Sequence, residues 1–135
     1  MENLGYIIAV VAIIALGSFV ISVYVRMRIH TRLLRDIHSG NFDDFDQRIE
    51  SFLVRQTLSP YARELLRFQE FAAKGDRTCM VEQYNRLMGL KLSDSIKASL
   101  LIEGFNAFYK IGDKKHTKRI LEAMTPELMG LHRQE

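Results

Sequence analysis

The sequence predicts an all-α protein: a single N-terminal transmembrane helix (residues 1–25) continuing into a cytoplasmic, solenoid-like array of about three helical hairpins (residues 26–135). Three observations predict it. An uncharged, apolar run of 22 residues fills positions 4–25. No stretch after residue 25 alternates with period two between turn signals, as a half-buried strand does. Glycine followed by Asn or Asp breaks the remaining chain at Gly40, Gly75 and Gly112, which are 35 and 37 residues apart.

The span comes first. About 20 apolar residues cross a hydrocarbon core of roughly 30 Å, and in lipid a lone segment pairs all its backbone N–H and C=O groups only as a helix. LGYIIAVVAIIALGSFVISVYV is long enough. The competing reading, a buried helix of a soluble domain, needs a core around a helix that is apolar on every side, and some 110 remaining residues hardly supply one. Only Met1, Glu2 and Asn3 precede the run, without the positive n-region of a cleaved leader. Arg26, Arg28, Arg32 and Arg35 follow it. An arginine-rich flank stays in the cytoplasm, so the N-terminus is expected outside and residues 26–135 inside. Those four arginines are then expected among the anionic headgroups of the bilayer. The lack of a leader or an acidic-poor transit segment leans towards a bacterial plasma (inner) membrane. Small residues let a second helix approach closely; Gly5, Ala9 and Ala12 form one such patch and Ala15, Ser18 and Ser22 another. Homo- or hetero-oligomerisation through the span is expected as readily as its absence.

The formal net charge of +3 is spread along the chain, and no segment is basic enough to require nucleic acid. The single Cys79 cannot form an internal disulfide, which suits a reducing compartment and agrees with the charge-derived orientation.

After the span, residues 26–39 continue without Gly, Pro or a turn signal, which predicts one helix of some 35 residues and on the order of 50 Å. Gly40-Asn41, Gly75-Asp76 and Gly112-Asp113 each pair a glycine suited to end a helix in the left-handed region with a residue suited to cap the next. Between them, Ser59-Pro60 and Ser93-Asp94 carry helix-start chemistry, and Thr125-Pro126 repeats it near the end. The two turn types alternate, as serial hairpins require. Counted from each glycine, apolar residues recur at +9 and +12: Ile49 and Phe52, Tyr84 and Leu87, Leu121 and Met124. Positions −7 and −3 hold Leu33 and Ile37, Phe68 and Ala72, Phe105 and Tyr109, with Leu65 and Ile102 at −10 in the later units. Spacings of three and four place these on one helical face, which stacking buries.

This pattern resembles the tetratricopeptide repeat, a helix–turn–helix family, over roughly residues 26–130, most strongly at the glycine turns and the apolar positions after them. The resemblance implies peptide or protein binding in a groove made by the first helices of the pairs, where Arg63, Arg67, Glu70, Lys97, Glu103 and Asn106 face outward. The chain departs from the family at two positions. Leu33, Phe68 and Phe105 stand where a small residue belongs, and Phe45, Met80 and Thr117 stand where alanine belongs. Larger residues there hold paired helices apart or change their crossing angle.

Candidate chemistry is thin. His30, His38, His116 and His132 lack ligand spacing, so no metal is expected. Asp43, Asp44 and Asp46 fall in a first helical turn, where negative charge suits the dipole. No nucleophile elbow, phosphate loop or dinucleotide fingerprint occurs, and Cys79 reads as a half-buried structural thiol. No catalytic residue, cofactor or enzymatic activity is expected. Lys114, Lys115, His116, Lys118 and Arg119 resist a bland account: cations opening a helix oppose its dipole, costing a few tenths to about 1 kcal/mol each. A solvated face is one reading of these residues; the functional reading is a basic patch for an acidic protein surface or anionic lipid, with RNA the weakest candidate, since no aromatic is interleaved. Leu128, Met129 and Leu131 are expected to cap the array.

The function expected is a non-enzymatic, single-pass membrane adaptor whose helical domain binds a partner protein at the membrane. The alternative is a small accessory subunit of a membrane complex, assembled through its span.

Overall fold

The structure, a computed structural model, describes the backbone of residues 2–131 and the side chains of residues 3–124. Seven helices and no strand occur among the described residues: α1 (Glu2–His38), α2 (Phe42–Ile49), α3 (Phe52–Thr57), α4 (Pro60–Lys74), α5 (Arg77–Met88), α6 (Asp94–Lys110) and α7 (Lys114–Leu131). They fall into two compact units, Met1–Pro60 and Tyr61–Glu135.

Helix α1 runs unbroken through 37 residues, about 55 Å at 1.5 Å per residue. It joins the apolar run to the arginine-rich turns without a hinge, as the absence of helix breakers predicts. It is long and apolar enough to cross a membrane, and the apolar window is not buried by the rest of the chain. Thirteen large apolar side chains between Leu4 and Tyr24 stand exposed. Leaving that many in water forgoes on the order of 20 kcal/mol of burial.

The three glycines adopt one geometry. Gly40, Gly75 and Gly112 have φ of 75°, 71° and 77°. At each, the glycine N–H donates to the carbonyl three residues back (Ile37, Ala72 and Tyr109, at 3.2, 3.1 and 3.1 Å). The next N–H donates to the carbonyl five residues back (Asp36, Phe71 and Phe108, at 2.9, 3.0 and 2.9 Å). This is the Schellman pattern, which a residue with a Cβ enters only with strain. The residues that follow behave differently. Asp76 accepts from the Cys79 N–H and Asp113 from the His116 N–H, both at 3.2 Å. Asn41 makes no side-chain cap bond, contrary to its expected role.

Two further boundaries differ from the expected ones. The helix after Gly40 stops at Ile49, because Ser51 turns extended and its hydroxyl accepts from the Val54 N–H to start α3. Phe52 therefore leaves the expected buried stripe and is 78% exposed. At Thr125-Pro126 no new helix begins; α7 passes through to Leu131. The capping role expected of Leu128, Met129 and Leu131 lies outside the described side chains.

In the first unit Leu33, Ile37, Phe45, Ile49, Val54 and Leu58 are buried. An Arg48–Asp36 ion pair, its carboxylate nearly buried, ties α2 to α1. In the second, Phe68, Met80, Tyr84, Leu87, Leu100, Leu101, Phe108 and Ile120 form one core. At its centre the rings of Phe68, Tyr84 and Phe108 meet pairwise at 5.6–6.0 Å, Tyr84 edge-on to Phe108. Helices α4 and α5 meet through long side chains rather than backbone: the ring pair Phe68–Tyr84, and Gln83 Nε2 donating to the Glu64 carbonyl at 2.9 Å. By contrast α6 and α7 pack closely along their length.

The last hairpin buries a different face from the one expected. Phe108 and Ile120 are inside, while Tyr109 and Leu121 are 71% and 51% exposed and Ile102 is also exposed. Gly104 sets this register. A Cβ there would lie 2.4 Å from Tyr84 Cε2, so the bare backbone of α6 is the bed on which the tyrosine ring lies. Leu100, Leu101, Gly104 and Phe108, spaced by three and four, are the face that follows.

Candidate protein-binding groove

The second unit carries a groove between α5 and α7 floored by α6. Tyr84, Asn85 and Met88 line it from α5, Leu101 from α6, and His116, Arg119, Ile120 and Ala123 from α7. On α7 the spacing 116, 119, 120, 123 is one helical stripe. The cavity is about 180 Å³. That falls below the roughly 300 Å³ at which small-molecule sites begin, and it suits one or two anchoring side chains of a docked helix.

Electrostatics on the α7 side are set at Asp113. This carboxylate is buried, yet it caps α7, accepts from Arg77 Nε at 2.7 Å and meets His116 Nδ1 at 2.7 Å. Burial pushes its pKa up, but the hydrogen bonds from the His116 N–H, Arg77 and the His116 ring outweigh that and hold it below the usual carboxylate value. His116 also stacks on Phe108, centroids 5.1 Å apart. Of the five basic groups that open α7, His116 is thus held by the fold, while Lys114, Lys115, Lys118 and Arg119 are all exposed. Arg119 brings its charge to the groove, and Lys115 stands four residues earlier on the same helix. Tyr84, on its inner wall, is buried and its hydroxyl has no hydrogen-bond partner among the described residues; burial pushes its pKa to about 12.

The face expected from the first helices looks different. Glu70 does not face outward: it is fully buried, beside Leu66 one turn earlier on α4, with Lys74 Nζ 2.7 Å from its carboxylate. Arg63, Arg67, Lys97 and Glu103 are half-buried and Asn106 is exposed. Gln69 Nε2 donates to Glu103 Oε1 at 3.0 Å, tying α4 to α6. Burial and then the Glu103 charge push the Tyr61 pKa up.

Cys79 is half-buried. Its hydrogen bond with Asp76, and then burial, push the thiol pKa up, which disfavours the thiolate; the same contact pulls Asp76 down. No cluster of metal-ligating side chains occurs among the described residues. On α1, Arg26, Arg28, Arg32 and Arg35 are exposed, as are Gly5, Ala9, Ala12, Ala15, Ser18 and Ser22.

Reading the sequence picked out His116 and Arg119 but missed Tyr84, Asn85, Met88, Leu101, Ile120 and Ala123 as a lining. The available signal was Gly104, a costly glycine in the middle of an otherwise good helix, which marks a close approach. No family model, curated protein or solved structure matches this chain.

Proposed function

We propose that this chain is a non-enzymatic, single-pass membrane adaptor that holds an acidic partner helix at the bilayer. The observation that carries the reading is the α5–α7 groove: an apolar slot sized for anchor side chains, with Arg119 in its lining, on a chain whose N-terminal helix leaves its apolar side chains exposed. Four arginines after the span support an N-terminus outside and the rest of the chain inside. Three Schellman glycines of one geometry at near-regular spacing support a degenerate tetratricopeptide-like array. In such an array Arg63, Arg67, Lys97, Glu103 and Asn106 form a second contact surface, without Glu70.

The rival reading, an accessory subunit assembled through its span, is favoured by the exposure of Gly5, Ala9 and Ala12. Photo-crosslinking in native membranes separates the two. Adducts from a crosslinker at Ala123 that disappear with Arg119→Glu support the adaptor. Adducts from position 9 but none from 123 transfer the function to the span.

A further inference from the structure

Outside α1, the most solvent-exposed apolar feature of the first unit is the start of α3. Phe52 is 78% and Leu53 59% exposed, while the next residue, Val54, is buried. Where this pair sits follows from unit-internal geometry. Helix α2 follows the Gly40 turn and packs on α1, with Arg48 paired to Asp36; running antiparallel, its eight residues would return about 12 Å along it. Helix α3 also packs on α1. Twelve ångströms back from His38 is the level of Ile29 and His30, and between Arg26 and Arg32 Ile29 alone is shielded from solvent. That level is the arginine band immediately past the apolar run. Tyr24, to whose hydroxyl Arg28 Nη1 donates at 3.1 Å, marks the same zone, since tyrosines collect at membrane–water boundaries. Exposed Arg26, Arg28 and Arg32 lie at this level, exposed Asp43 and Asp44 lie near the turn with Arg35, and Glu50, close to Phe52, is paired with Arg55.

We propose that the first turn of α3 is a second membrane contact, in which Phe52 and Leu53 insert into the interfacial layer of the leaflet whose headgroups meet Arg26, Arg28 and Arg32. The occupant is lipid. The bilayer already surrounds the adjoining segment of α1, anionic headgroups complement the arginines, and an interfacial apolar side chain reaches the roughly 5–10 Å headgroup–acyl boundary. The proposal rests on α1 spanning the membrane.

The chain has no Trp, so single-Trp variants report depth directly. Full-length Phe52→Trp, Phe19→Trp and Asp43→Trp are reconstituted in phosphatidylcholine–phosphatidylglycerol vesicles whose acyl chains are brominated near the headgroup. Phe52→Trp is expected to lose about half its emission and to shift to the blue, as an interfacial side chain does, with Asp43→Trp little affected. Phe52→Trp quenched no more than Asp43→Trp overturns the proposal. If Phe19→Trp is quenched in that case, the span survives; if it is not, the membrane reading falls as well.

Discussion

Gly104 shows how one absent side chain organises a unit. Glycine in mid-helix costs about 1 kcal/mol relative to alanine, yet here it admits the Tyr84 ring, which also packs against Phe68 and Phe108. The ring cannot swing away cheaply. Gly104→Ala is therefore expected to lower stability by about 1–3 kcal/mol, the usual cost of overpacking, read as a lower urea midpoint with an unchanged slope. Tyr84→Phe is expected to act in the opposite direction or not at all, because the hydroxyl it deletes is buried without a partner. The same pair of proteins tests pH linkage. A phenol whose folded pKa is raised to about 12 stabilises the fold below its unfolded value near 10 and loses that stability as pH rises towards 12. Wild type is expected to weaken across that window more steeply than Tyr84→Phe. Asp113 has the opposite sign. Its folded pKa is lowered, so its contribution is present above the unfolded carboxylate pKa and is lost as acid protonates it. Asp113→Asn, which can still cap α7, is expected to flatten the acid limb of stability against pH.

At the scale of the element, the glycine turns were legible and the faces between them only partly so. Left-handed φ at Gly40, Gly75 and Gly112 was legible from glycine followed by Asn or Asp at a helix end, and Gly75→Ala is expected to cost about 1–2 kcal/mol for forcing a Cβ into that region, measured by thermal or urea unfolding. The faces were readable where a helix is two-sided, as with Leu33 and Ile37 on α1 or Met80, Tyr84 and Leu87 on α5. They were not readable on α6. Ile96, Leu100, Leu101, Ile102, Phe105, Phe108 and Tyr109 surround it, so spacing cannot choose among its faces, and the choice falls to a tertiary contact at Gly104. Likewise the Ser51 cap was passed over in the sequence, because the apolar periodicity runs on through Phe52. The groove was the least legible feature, since half its lining reads as ordinary core until α5 and α7 are seen to leave a gap.

For the whole molecule the decisive term is the unburied surface of α1. Ile13→Arg with Ile14→Arg, each costing about 2.5–3.5 kcal/mol near the middle of a span, is expected to move the protein from the carbonate-resistant membrane fraction to the soluble one. The continuity of α1 has a mechanical consequence as well. Its 22 uncharged residues need about 33 Å of hydrocarbon, and the 13 that follow, to His38, reach about 20 Å beyond. A span longer than the local bilayer accommodates by tilting, on average about 20°. Without a hinge at the boundary, that tilt swings the far end of the extension sideways by about 7 Å. In the proposed membrane-spanning arrangement, α1 would be a lever that converts bilayer thickness into the position of the Gly40 turn, and a thinner membrane would displace that turn farther.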